Sequence, residues 1–205
     1  MAQAGEHAAE GCSRLRVVLL GHSYMSRFSD YMLTYEKLSN LGFPETVEVS
    51  CIGVGEATLG PQRNPNIDEH LTEVSRLQPD VIYLHTGEND LGHMSEDQIV
   101  CELLRLIQEL SSLSRSHAVI VGQLVYFPQI RPQHPDSVLR INDALRHQIQ
   151  PPAIFWRHRF GFLHGSDYFL SDGVHLSDRG LHRYWKSVRT AVGRALRHSH
   201  PSFRS

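Results

Sequence analysis

The feature that most constrains the fold is a regular alternation of short apolar runs with longer amphipathic segments. Apolar runs of strand length cover 14–21, 46–55, 80–87, 117–127 and 153–160. Segments with apolar residues at helical spacing cover 26–38, 68–77, 95–113, 138–149 and 178–197. Strands that alternate with helices form a parallel sheet with helices packed on both faces. The sequence therefore predicts one doubly wound α/β domain with five parallel strands.

The helix signals are clearest in the third and fifth amphipathic segments. Ser95 and Gln98 are spaced as a capping box, in which each side chain bonds the other residue's backbone N–H. The last segment carries one apolar stripe at helical spacing: Leu181, Trp185, Val188, Val192 and Leu196. We expect this stripe to be buried against the sheet.

Length and charge exclude several classes of protein. The 205 residues suffice for one well-cored domain, predicted at 14–197, with flexible tails at 1–13 and 198–205. A net charge of -2 gives no overall attraction to nucleic acid or membranes. Neither a signal peptide nor a membrane-spanning apolar run is present in the sequence, so the predicted location is the cytoplasm.

Cysteine and histidine usage does not indicate a metal site. Cys12, Cys51 and Cys101 form an odd set without CxxC spacing, which predicts neither a disulfide framework nor zinc. The 14 histidines are scattered, without an HExxH or HxxxH pair on a helix, and most are expected at the surface.

Polar residues follow three of the predicted strands. The first strand leads into Gly21-His22-Ser23, the second ends at Gly55, and the third leads into Gly87-Glu88-Asn89-Asp90. In parallel sheets, ligands bind at the edge formed by the carboxyl ends of the strands. A serine there begins a helix, where free N–H groups stabilise negative charge. The backbone N–H groups of Ser23 and Gly55 and the Asn89 amide are thus candidate oxyanion donors.

The stretch "SDGVHLS" at 171–177 places Asp172 three positions before His175, just ahead of the last helix. An imidazole can remove the proton of a serine, and a carboxylate can hold that imidazole in the required tautomer. Ser23, His175 and Asp172 are therefore predicted to act as nucleophile, base and orienting carboxylate.

Each of these residues also has a structural interpretation. Ser23 can cap the first helix, and Gly55 can satisfy a turn that needs a positive φ. Asn89 and Asp90 are common turn formers. Asp172 and His175 can belong to an acidic turn with a surface histidine. Their convergence at strand ends and at the start of the last helix favours the catalytic interpretation.

The motifs resemble those of the SGNH hydrolase superfamily, also called GDSL-like esterases. The first block is "LLGHSYM", the second "GVGEAT", the third "GEND" and the fifth "DGVHLSDRG". The resemblance covers about residues 14–197, and the third and fifth blocks are its specific part.

The resemblance implies a flavodoxin-like, three-layer α/β/α fold and hydrolysis of lipid or acetyl esters without a metal or organic cofactor. It implies catalytic roles for Ser23, Asp172 and His175, with Gly55 and Asn89 in the oxyanion hole. One departure is His22, where the family usually has Asp. The G-x-S-x-G elbow is absent, since "GHSYM" has Met25 in place of the second glycine, and this argues against the α/β-hydrolase fold.

A catalytically silent binding module of the same fold, derived from a mobile element, is the alternative. It is motivated by His22 and by the segment from Arg179 to Ser205, which has basic residues and no Asp or Glu. Nucleic acid or another anionic partner would bind there, through residues such as Arg189 and Arg194. A nucleotide-binding protein is disfavoured because no G-x-G-x-x-G or P-loop motif follows a strand.

The walls of the site are predicted from Tyr24, Met25 and the loops at 56–66 and 128–135. Substrate identity and oligomeric state are not determined by the sequence.

Overall fold

The computed structural model describes residues 14–60, 63–115, 118–125, 135–158 and 166–199. Its five strands are β1 (Leu15–Gly21), β2 (Val47–Gly53), β3 (Val81–His85), β4 (Ala118–Gly122) and β5 (Ile154–Trp156). All neighbouring strands pair in parallel, in the order β2-β1-β3-β4-β5. This is the flavodoxin-like order of a doubly wound sheet, so the predicted fold class is confirmed.

Five α-helices connect or follow the strands: α1 (Ser23–Thr34), α2 (Leu71–Leu77), α3 (Glu96–Leu113), α4 (Pro135–Gln148) and α5 (Asp178–Ser199). Short 3-10 turns lie at Glu36–Gly42, Ile67–His70, Glu88–Asp90 and Ser166–Tyr168. None of the helices in the described part of the chain combines the length and apolarity that crossing a bilayer requires.

Two apolar clusters cover the two faces of the sheet, because successive side chains of a strand point to opposite faces. Val18 and Leu20 of β1 pack with α2, α3 and α4, whereas Val17 and Leu19 pack with α1 and α5. The sheet is therefore the middle of three layers. The central strands β3 and β4 are buried along their whole length, and β1 is buried from Val17 to Gly21, as their continuous apolar runs predicted.

The helix predictions differ from the structure mainly at the helix ends. The capping box of Ser95 and Gln98 is present at the start of α3. Four residues of the α5 stripe are buried, and only Trp185 is half-buried because its ring N–H reaches the Leu38 carbonyl. The helix predicted at 26–38 starts earlier, at Ser23, and ends at Thr34.

Three predicted strands are longer than the observed ones, and the last helix is longer than predicted. The strands predicted at 46–55 and 80–87 are shorter by one or two residues at each end. β5 keeps three residues of the predicted 153–160, of which 159 and 160 lie outside the described residues. α5 continues to Ser199, two residues past the predicted end. The tail predicted at 1–13, and residues 200–205 of the second tail, also lie outside the described part.

Candidate active site

The carboxyl ends of β1, β2 and β3 lie side by side and bring the first three blocks together. Gly21 is in register with Gly53 on one side and His85 on the other. A Cβ on Gly21 would lie 2.2 Å from the His85 carbonyl oxygen, so only glycine allows this approach. The chain after β1 is thus held against the end of β3.

Ser23 is the first residue of α1 and is half-buried. The helix cap is His22, whose ring nitrogen Nδ1 accepts the Tyr24 N–H. The structural interpretation of Ser23 as the cap is therefore wrong. The Ser23 N–H lies in the first turn, where backbone donors have no intrahelical partner, and it remains a candidate oxyanion donor.

Gly55 follows β2 in an exposed turn. A Cβ built on Gly55 would meet no atom within 4 Å, so its backbone faces open space. The positive φ in this turn belongs to Glu56, at 58°, so the interpretation of Gly55 as a positive-φ residue is wrong. A substrate could therefore approach the Gly55 backbone closely.

Asn89 and Asp90 join the third block to the loop after β2. Asn89 Nδ2 donates to the Ala57 carbonyl at 2.9 Å, and the buried Asp90 carboxylate accepts the Leu59 N–H. A primary amide carries two N–H donors, so one donor of Asn89 is left for another acceptor. These contacts hold the loop that carries Gly55, which is a structural role alongside any catalytic one.

Asp172 and His175, here called the outer pair, lie in a tight turn before α5. His175 Nδ1 is 2.8 Å from Asp172 Oδ2, and Asp172 Oδ1 accepts the N–H groups of Val174 and His175. Gly173 has a φ of 67°, which favours glycine. With Nδ1–H directed to the carboxylate, Nε2 of the neutral ring is an acceptor.

The ionised form of Asp172 is stabilised by these contacts. Partial burial raises its pKa, but the hydrogen bonds from the His175 ring and from the two backbone N–H groups outweigh this and lower the pKa to about 2. Asp172 is therefore a carboxylate throughout the neutral range, as an orienting residue must be.

The outer pair is connected to the start of α1. The Tyr24 hydroxyl donates to the Val174 carbonyl, which joins the neighbour of Ser23 to the neighbour of His175. In the described part of the chain, no hydrogen bond links the Ser23 hydroxyl to the His175 ring; Ser23 Oγ instead lies 3.5 Å from His22 Nδ1. Catalytic hydrogen bonds often tighten only when substrate binds. The triad thus stays a prediction.

Behind Ser23 lies a group that the sequence analysis missed, the inner cluster of His22, His85 and Glu88. Glu88 Oε2 is 2.9 Å from His22 Nε2, and Oε1 is 2.8 Å from His85 Nε2. Oε1 also accepts the Val125 N–H at 2.9 Å. All three residues are buried, each with at most 1% of its surface exposed. The expectation that most histidines lie at the surface is therefore wrong for His22 and His85.

The network continues from His85 along the face of the sheet that α5 covers. His85 Nδ1 is 2.6 Å from the Tyr184 hydroxyl, which lies 3.4 Å from that of Tyr83. Tyr83 in turn contacts the buried His158, whose other nitrogen meets Ser187 Oγ at 2.8 Å. Burial lowers the pKa of His158 well below its usual range. The sequence signal was available, because His85 lies within an otherwise apolar buried strand, where a polar side chain needs a partner.

The inner cluster has the residue types of a metal site, with ligand atoms within 4.8 Å of one another. Its hydrogen bonds do not fit that role. His22 Nδ1 accepts the Tyr24 N–H, so the proton of the neutral ring is on Nε2, the atom that faces Glu88. A metal would have to displace that proton. Cys51 and Cys101 are free thiols, and Cys12 lies outside the described residues.

Tyr24 and Met25 do not form walls of the site. Both are buried, at 2% and 0% exposed, in the core beneath α1. The prediction that they line a pocket is wrong. Of the predicted wall loops, 61–62 and 128–134 lie outside the described residues.

Several solved structures share this architecture. An acetyl xylan esterase, AlAXEase, is 18% identical with a TM-score of 0.68, covering 87% of this chain and 100% of its own. A carbohydrate esterase family 3 protein from Talaromyces cellulolyticus is 16% identical with a TM-score of 0.65 (90% and 99%). TesA is 15% identical with a TM-score of 0.64 (88% and 99%). The chain shares the three-layer α/β/α fold of these proteins.

No protein-family profile and no curated protein sequence matches the chain. The similarity to these three neighbours is therefore one of fold, at sequence identities of 15–18%.

Proposed function

We propose that the protein is an SGNH-type serine hydrolase of carboxylic esters, with Ser23 as nucleophile, His175 as base and Asp172 as the carboxylate that orients His175. The main support is the position of the outer pair. It forms an ordered Asp–His turn that is tied through Tyr24 and Val174 to the residue after Ser23.

The proposed reaction has two acyl-transfer steps. Ser23 Oγ attacks the ester carbonyl while its proton passes to His175 Nε2, and the resulting imidazolium is stabilised by Asp172. The oxyanion accepts the N–H groups of Ser23 and Gly55 and the second amide N–H of Asn89. His175 then protonates the leaving alkoxide, and water repeats the sequence on the acyl-enzyme.

Acetyl esters are the first substrates to test, because two of the structural neighbours are named as acetyl xylan esterase and carbohydrate esterase. Lipid esters are the second class implied by the sequence motifs. A p-nitrophenyl series with acetyl, butyryl and octanoyl groups separates the two classes by acyl length.

The test is hydrolysis of this series by the wild type, Ser23→Ala and Ser39→Ala. Ser39 is an exposed serine whose hydroxyl donates to the local Glu36 carbonyl, so it is a matched control. We expect turnover by the wild type and Ser39→Ala, and none above background with Ser23→Ala. Turnover that persists in Ser23→Ala refutes the proposal.

The silent binding module has less support. Arg183 stacks on Tyr168, and Arg189 stacks on Phe43 while donating to the Leu41 carbonyl, so two basic residues of α5 serve the fold. Arg194 remains exposed. A folded protein without ester turnover that binds RNA through Arg194 would favour this alternative.

A further inference from the structure

The inner cluster takes no part in the mechanism proposed above, although it reaches the nucleophile. His22 has one ring nitrogen against Glu88 and the other 3.5 Å from Ser23 Oγ. A carboxylate this deeply buried persists as an ion only where it is paired and hydrogen-bonded. The arrangement around Glu88 meets that condition.

The hydrogen bonds assign one tautomer to His22. A backbone N–H can only donate, so His22 Nδ1 accepts from Tyr24 and carries no proton. The proton of the neutral ring is then on Nε2 and is donated to Glu88 Oε2. The single lone pair of Nδ1 is approached by the Tyr24 N–H at 3.4 Å and by Ser23 Oγ at 3.5 Å, so the two donors share it.

Glu88 accepts the proton that His22 Nε2 donates. It receives N–H groups from His22, His85 and Val125. Burial raises the pKa of Glu88, but its electrostatic interactions and hydrogen bonds with His85 and His22 lower it well below the usual range. A hydroxyl, an imidazole and an ionised carboxylate thus follow one another from Ser23 through His22 to Glu88, the same chemical order as in the proposed triad of Ser23, His175 and Asp172.

We propose that His22, oriented by Glu88, is a second base for Ser23 that acts beside His175. The proposal rests on the proposed function, since it requires Ser23 to be the nucleophile. As Ser23 Oγ bonds to the electrophilic atom, its proton moves to the lone pair of His22 Nδ1, which gives up its long contact with the Tyr24 N–H, and the resulting imidazolium is stabilised by Glu88. The proton then passes to the leaving group or to solvent.

A fluorophosphonate probe separates the two bases. Its reaction forms a bond between Ser23 Oγ and phosphorus and breaks the P–F bond, and fluoride departs with the electron pair. The serine proton ends in solvent. Because fluoride needs no proton to leave, the rate of labelling reports the base alone and does not require a general acid.

The experiment measures the rate constant for labelling of the wild type, His175→Ala, His22→Asn and the double variant. A general base contributes about 10²–10⁴-fold. We expect His175→Ala to keep labelling Ser23 at a measurable, reduced rate. The double variant should then fall at least about tenfold further, towards the Ser23→Ala background. His175→Ala already at background, or a double variant as fast as His175→Ala, overturns the inference.

Failure of the inference can be told from failure of the proposed function. Wild-type protein that is not labelled at Ser23 contradicts the proposed function. Wild-type protein labelled at Ser23, with His22→Asn having no effect in the His175→Ala background, contradicts the second base alone.

Loss of a buried partner of Glu88 can disturb folding, so a control and a second readout are needed. His158→Gln is the matched control, since His158 is 3% exposed in the same network but lies beyond Tyr83 and Tyr184. Its labelling rate relative to wild type gives the effect of damaging the network alone. Nitrogen-15 NMR of the wild type gives the second readout: the Nε2–H tautomer of His22 supports the inference, and the Nδ1–H tautomer overturns it.

Discussion

The outer pair and the inner cluster each place an imidazole against a carboxylate, at N–O distances of 2.8 Å and 2.9 Å. They differ in their surroundings. The side chains of His175 and Asp172 are 23% and 44% exposed, whereas those of His22 and Glu88 are 2% and 0% exposed. At nearly the same distance, the electrostatic interaction is therefore weaker in the outer pair, which water screens, than between His22 and Glu88, from which water is excluded.

The source of the hydrogen bonds differs in the same way. Asp172 is satisfied by backbone and side-chain donors within three residues. Glu88 collects donors from the start of α1, from the end of β3 and from Val125. The outer pair can be formed by a local turn alone, whereas the inner cluster depends on the whole sheet edge. We expect substitutions in the outer pair to affect catalysis, and those in the inner cluster to affect folding as well.

The largest expected effect is on turnover of an alkyl ester by Asp172→Asn. Loss of the orienting carboxylate should lower kcat by about 10⁴-fold, with little change in the melting temperature because the site is exposed. Asp143→Asn is the matched control, since Asp143 faces His147 at 3.6 Å on the exposed side of α4. Equal turnover by the two variants contradicts the catalytic role of the outer pair.

Glu88→Gln tests the opposite behaviour. The glutamine amide would present N–H groups to imidazoles that donate, so the unfolding free energy should fall by about 3–5 kcal/mol, as when a buried pair is broken. The partly exposed Glu96, paired with Arg140 at 2.6 Å, gives the control Glu96→Gln, with an expected change of at most about 1 kcal/mol. Urea unfolding measures the unfolding free energy of both variants. If Glu88→Gln lost as little as Glu96→Gln, the inner cluster would not be critical for stability.

Asn89→Ala should slow the reaction by the same factor whether His175 or His22 acts as the base. Removal of one oxyanion donor lowers kcat by about 10²–10³-fold. The factor for fluorophosphonate labelling should be equal in the wild-type and His175→Ala backgrounds, because the oxyanion forms whichever base acts. A factor that depends on the background would show that Asn89 positions His175 instead.

The smallest effect concerns the titration of Asp172. Folding lowers its pKa from 3.8 to about 2. The Asp172 carboxylate therefore stabilises the folded protein fully above pH 3.8, and this stabilisation is lost as the pH falls to about 2. In His175→Ala the pKa should rise, since the ring hydrogen bond is gone. Carboxyl carbon-13 NMR measures both values. An unchanged pKa in the variant would mean that the two backbone N–H groups alone hold the carboxylate.

The fold and the outer pair could be predicted because their signals are local. Alternating strands and helices determine the sheet, and strand-ending polar residues such as Ser23 and Asn89 fall at one edge of it. Asp172 and His175 are only three positions apart in the sequence. Such features depend on spacing along the chain, which the sequence shows directly.

The inner cluster could not be predicted in the same way. His22 and Glu88 are 66 positions apart, and their contact exists only because β1 and β3 pair in register. The sequence did contain a weaker signal in His85, which requires a partner within an apolar strand. Burial of Tyr24 and Met25 was missed because a first helical turn can face either the site or the core.

A crystal structure of the protein after reaction with a fluorophosphonate tests the central claim most directly. The account predicts phosphorus bonded to Ser23 Oγ and a phosphoryl oxygen within hydrogen-bond distance of the Gly55 N–H and Asn89 Nδ2. It also predicts His175 Nε2 about 2.7–3.2 Å from Ser23 Oγ. An adduct on another residue, or a His175 ring directed away from the phosphonylated serine, would contradict the account.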